Sequence, residues 1–90
     1  MAAALIANTK VAGATPEIGA RVAAYTATKV TQNDWVVLSD FKEVLEAVVY
    51  TVSTGARTAE AFTIDGTTKN KIILTSATTG AISIIAIGIS

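Results

Sequence analysis

The chain has 90 residues, 51% apolar and 16% charged, with seven Lys and Arg against seven Asp and Glu and neither His nor Cys. That balance excludes disulfides, thiolate and imidazole catalysis and the two commonest zinc ligands; without a basic patch, counterion-driven nucleic-acid binding and adhesion to anionic membranes are excluded too. A domain this short buries only about 60 to 65% of its unfolded surface, so an apolar fraction this high places some of that surface against another chain.

Residues 1–19 are small and apolar, broken by Gly13, Pro16 and Gly19. Ala2 to Ala7 is too short for a stable isolated helix and for the apolar core of a secretory signal. The segment reads as an extended arm held by the sheet or by another subunit. Its large aliphatic residues, Leu5, Ile6, Val11 and Ile18, are candidate assembly contacts.

Residues 20–90 read as a single β domain. Arg21 to Thr31 alternates with strand period, Ala23, Tyr25 and Ala27 lying on one side and Val22, Ala24 and Val30 on the other. After a turn at Gln32-Asn33-Asp34, Trp35 to Leu38 is a short apolar strand covered on both faces.

The next segment carries two signals. Ser39 to Glu43 looks like a helix start, with Asp40 as N-cap and Glu43 as its capping-box partner; Phe41, Val44, Leu45, Val48, Val49 and Val52 then continue at helical spacing. Val48 to Thr54, however, is dense in strand-favouring residues. The expectation is one short helical turn at Ser39 to Glu43 followed by a strand from about Val44 to Ser53.

Turns follow at Thr54 to Arg57, at Asp65 to Asn70 and at Ser76 to Gly80, separating strands at Ala59 to Ile64, Lys71 to Thr75 and Ala81 to Ile89. The tail reads as an antiparallel meander ending in a hairpin. From Ile72 to Ile89 the chain is uncharged, but Thr75, Ser76, Thr78, Thr79, Gly80 and Ser83 interrupt it, so no membrane span is assigned.

In the last strand Ile82 and Ile84 share one face, while Ile85, Ile87 and Ile89 share the other. Either a bulge sits at Ile84-Ile85 or both faces are covered, the second by the residue 1–19 arm of this chain or of a neighbour. Ile85, Ile87 and Ile89 therefore join the candidate assembly contacts. Gly88 reads as a strand glycine approached closely by a backbone or side chain.

Catalytic readings find little material. Asp40, Glu43 and Glu46 form the only close acidic group and read as a solvated face; Asp65-Gly66 is turn chemistry rather than a calcium loop, and the glycines form no phosphate loop. No metal and no cofactor is expected. Trp35, Tyr25 and Tyr50 are a candidate ring platform for a sugar, the alternative reading being an adhesin-like module.

Asp40-Phe41-Lys42-Glu43-Val44 through Tyr50, then Ser53-Thr54-Gly55, Phe62-Thr63-Ile64, and Ile72 to Gly80 with Ile84 to Gly88, resemble small virion proteins of tailed bacteriophages. The resemblance implies a compact β-sandwich or β-barrel and a role in decorating or cementing a capsid. The fold expected is all-β, a small antiparallel β-sandwich or barrel with an extended N-terminal arm and one short helical turn. The function expected is a non-enzymatic protein of the capsid surface, with itself as partner, a trimer being one form, and the major capsid protein as the other.

Overall fold

The computed structural model describes residues 2–13 and 21–89. They form eight strands and no helix: β1 (Asn8–Gly13), β2 (Arg21–Lys29), β3 (Trp35–Val37), β4 (Glu43–Ser53), β5 (Ala56–Ala59), β6 (Phe62–Ile64), β7 (Lys71–Leu74) and β8 (Gly80–Ile89). A five-stranded sheet runs β1-β2-β8-β4-β5 and a three-stranded sheet runs β3-β7-β6, with every paired strand antiparallel. One core fills the space between them: Tyr25, Val49, Ile82 and Ile84 from the larger sheet meet Val36, Ile72 and Leu74 from the smaller. The all-β sandwich follows from the strand alternation and the turn spacing.

β8 is the centre of the larger sheet. Its register against β2 is unbroken from Arg21↔Gly88 to Lys29↔Gly80, so no bulge sits at Ile84-Ile85. The irregularity lies in its other neighbour, β4, between Val44 and Glu46. The extra residue there lets Val44 and Ala47, three positions apart, both face the core while Leu45 and Glu46 both stay exposed. The helix-like spacing of Phe41, Val44, Leu45 and Val48 is thereby split between two faces, Phe41 and Val44 being buried and Leu45 and Val48 exposed.

Three expectations are corrected. In place of a helical turn at Ser39 to Glu43 there is a single hydrogen-bonded turn from Leu38 to Phe41, Phe41 N–H donating to Leu38 O at 3.0 Å, and Lys42 N–H already donates to Ile89 O at 2.7 Å; the chain is captured by β8 before a helix can propagate. Ala59 to Ile64 is not one strand. Glu60 N–H still donates to Val49 O in the larger sheet at 2.8 Å, whereas Ala61 O accepts from Thr75 N–H beside β7 at 3.1 Å, so the chain changes sheets between these two residues. Lys71 to Ile89 is not a hairpin either, because β7 and β8 lie in different sheets.

The arm packs on its own chain over residues 4–13. β1 pairs with β2, and just before it Trp35 N–H donates to Ala4 O at 3.2 Å while Ile6 N–H donates to Trp35 O at 2.9 Å. One short segment thus closes the β3 edge and extends the larger sheet. Gly88 is tight as expected: a Cβ there would lie 2.6 Å from the Phe41 ring and press on the Glu43 carbonyl oxygen.

Candidate functional site

Strand alternation gives the larger sheet two unlike faces. Ala23, Tyr25, Ala47, Val49, Ile82, Ile84 and Ala86 point into the sandwich. On the outer face, Val22 stands opposite Ile87 and Ala24 opposite Ile85 across β2 and β8, and Val48 stands opposite Ile85 across β8 and β4. Val22, Leu45, Val48, Ile85, Ile87 and Ile89 remain between 37% and 50% exposed. Toward the other end of the same face the row turns polar, with Thr26, Thr28 and Ser83 on β2 and β8.

Of the proposed assembly contacts, Ile85, Ile87 and Ile89 are brought together in this patch. Val11, 60% exposed, sits where the β1–β2 register shifts between Lys10 and Ala12. Leu5 is exposed but bridges Trp35 at the smaller sheet, and Ile6 packs against the protein's own core. Ile18 lies outside the described residues. Val22, Leu45 and Val48 are the members that sequence reading did not single out; the β2 alternation already grouped Val22 with Ala24, while Leu45 and Val48 were hidden in the bulged stretch.

The candidate ring platform is not assembled. Tyr25 is buried between the sheets, its hydroxyl donating to Asp40 Oδ2 at 2.7 Å. Trp35 alternates with buried Val36 and so lies on the outside of the smaller sheet, where Lys71 Nζ sits 4.5 Å from its ring centroid. Tyr50 alternates with buried Val49 and lies on the outside of the larger sheet. The three rings occupy three different layers.

The buried polar groups lie at the corners where the chain changes sheets, since backbone groups there lose their ladder partners. At the β2–β3 corner Asp34 accepts from the N–H groups of Val30 at 2.9 Å, Thr31 at 2.8 Å and Ala4 at 3.0 Å. Burial pushes its carboxyl up, but these bonds and the nearby Lys29 charge outweigh that and hold it below the usual range. At the β5–β6 corner Glu60 Oε1 accepts from Lys29 Nζ at 2.8 Å with both side chains at most 1% exposed. Thr51 Oγ1 donates to the other Glu60 oxygen, and Lys29 Nζ donates also to Ser76 O at the β7–β8 corner. Burial again opposes ionisation of Glu60, and the bonds from Lys29, Thr51 and Ser76 overcome it, leaving its carboxyl lower than usual.

Asp40 caps no helix. The Tyr25 hydroxyl and, secondarily, Lys10, at 3.4 Å, hold its carboxyl below the ordinary range, while burial and then Asp40 push the Tyr25 phenol up. Among the described residues, no buried side-chain N or O atom lacks a partner, and no group of three or more Asp or Glu is placed to hold a metal ion. The concavity beside β1, lined by Thr9, Thr26, Thr28 and Ser83, offers Arg57 as its one charged group.

No family model, curated protein or solved structure matches the chain. Among the described residues, the outer β2-β8-β4 face carries an apolar half with acidic groups, Glu43 and Glu46, along β4.

Proposed function

We propose that this protein is a non-enzymatic structural component of a bacteriophage capsid surface, decorating or cementing the shell through contacts with its own copies and with the major capsid protein. The observation that carries the reading is the outer β2-β8-β4 face, where Val22, Leu45, Val48, Ile85, Ile87 and Ile89 are held in register with nothing among the described residues across them. Exposed apolar patches of this kind mark protein contacts, and apolar burial across subunit junctions raises the free energy needed to open a shell. The Asp40 group is engaged by Tyr25 and Lys10 rather than left for acid–base work. Support also comes from the resemblance of residues 35–90 to small virion proteins of tailed bacteriophages.

The test is co-sedimentation with capsid shells of the phage that encodes the chain, stripped of their surface proteins. Saturable binding at a fixed ratio to the major capsid protein, with slower shell opening on heating, is the expected result. A chain that stays in the supernatant at concentrations well above those of the shell protein would overturn the reading.

A further inference from the structure

We infer that the outer face of the five-stranded sheet closes against the same face of a second copy of this chain, forming a reversible two-fold dimer. The inference rests on the assembly reading above and names the partner of that surface. Three observations lead to it.

β8 is apolar on both sides. Its inner residues Ile82, Ile84 and Ala86 are covered by the smaller sheet, whereas Ile85, Ile87 and Ile89 have no cover among the described residues. The one segment of this chain that sequence reading offered as a cover is committed elsewhere over residues 4–13, edge-on against β2 and against Trp35. A cover from the chain's own arm is thereby removed for those residues, and a cover from a neighbour remains.

The second observation is shape and area. A regular, unbroken sheet face packs well on another sheet face, about 10 Å away with strands within about 30° of alignment. A fully exposed Val, Leu or Ile side chain presents roughly 100 Å² of apolar surface. Six such side chains between 37% and 50% exposed leave roughly 250 Å² per copy, and Ala12, Ala24 and Tyr50 border the patch. A standard interface takes about 800 Å² per partner, somewhat over half of it apolar. The patch therefore suits a contact at the lower end of the size range, which forms and dissolves with concentration rather than permanently.

Charge is the third. Seven cationic and seven anionic side chains cancel, so copies do not repel one another at neutral pH. The six apolar side chains are themselves uncharged, with Glu43 and Glu46 standing beside Ile89 and Ile87 at the β4 side of the patch, and a two-fold contact needs a surface that matches itself.

Sedimentation velocity on the full chain tests this between about 1 and about 200 µM, a range that brackets modest interfaces. The expected result is a monomer–dimer shift with concentration that is lost in Ile85→Lys and in Val48→Lys, each weakening association by about 100-fold or more because a charge is placed in a closed apolar contact. Thr63→Lys, on the smaller sheet, leaves the shift unchanged. Far-ultraviolet circular dichroism checks that each variant keeps its sheet. A wild-type chain that stays monomeric throughout, or a dimer that survives both outer-face variants, overturns the inference. Shell binding by the same proteins separates the two claims: shells that bind an undimerised chain through Ile85 and Val48 leave the capsid reading standing and sink the dimer, whereas a dimer that ignores shells does the reverse.

Discussion

Removing the cation from the Lys29–Glu60 pair is the perturbation whose cost follows most directly from the structure. In Lys29→Met the Glu60 carboxylate keeps its position, at most 1% exposed, but loses the ammonium 2.8 Å away. Breaking a buried pair from one side costs about 3 to 5 kcal/mol. A chain of this length has roughly 5 to 13 kcal/mol of total stability, so the variant loses between about a quarter and nearly all of it and melts roughly 15 to 30 °C lower. Glu60→Leu strands the ammonium with Ser76 O as its remaining partner and falls in the same range. In the double variant Lys29→Met with Glu60→Leu both charges are gone; what remains is the unpaired Thr51 hydroxyl and Ser76 carbonyl, about 1 to 3 kcal/mol each at most. The double variant should therefore be more stable than the sum of the singles predicts, by about 2 kcal/mol or more. Urea unfolding followed by circular dichroism at one dilute protein concentration measures all four proteins. Singles that cost less than about 1 kcal/mol, or strict additivity, would refute a buried tie. The pH dependence carries the matching sign. The folded Glu60 carboxyl lies below its unfolded value, so its contribution is fully present above the ordinary carboxylate range and is lost as pH falls through the folded value. The acid-side loss of stability should accordingly be shallower in the double variant.

Two further outcomes follow from close contacts. Gly88→Ala places a methyl 2.6 Å from the Phe41 ring and should cost about 1 to 3 kcal/mol, read as a lower urea midpoint; an unchanged midpoint would mean that the β8–Phe41 contact is looser than described. Asp34→Ala removes the acceptor of the Ala4, Val30 and Thr31 N–H groups, so hydrogen exchange at those three amides should accelerate well beyond that of β8. Uniform acceleration along the chain would contradict a local latch of the arm.

Strand content was legible because alternation and turn residues are local properties. Asp65 shows this: its carboxylate accepts from Thr67 and Thr68 N–H, at 3.1 and 2.7 Å, which is the turn chemistry read from Asp65-Gly66. Pairing was less legible. The β7–β8 hairpin failed because sequence adjacency suggests pairing, whereas an apolar β7 alternating Ile72 and Leu74 inward can serve either sheet equally well. Glu60 escaped notice for a similar reason: nothing local distinguishes a glutamate facing water from one facing a lysine 31 residues away. The two-sided character of β8 was readable from residue parity alone, since Ile82 and Ile84 fall opposite in phase to Ile85, Ile87 and Ile89. What parity could not locate was the bulge, which is a property of β4 as it pairs with β8.

Solvent protection on assembly tests directly whether the outer β2-β8-β4 face is a protein contact. The chain contains no cysteine, so single replacements report without background. Val48→Cys on that face and Thr63→Cys on the outside of the smaller sheet can each be labelled with a maleimide in dilute and in assembled protein. If that face is the contact, Cys at position 48 reacts readily when dilute and is shielded on assembly, while position 63 reacts at the same rate in both. Equal reactivity of position 48 in the two states would contradict it.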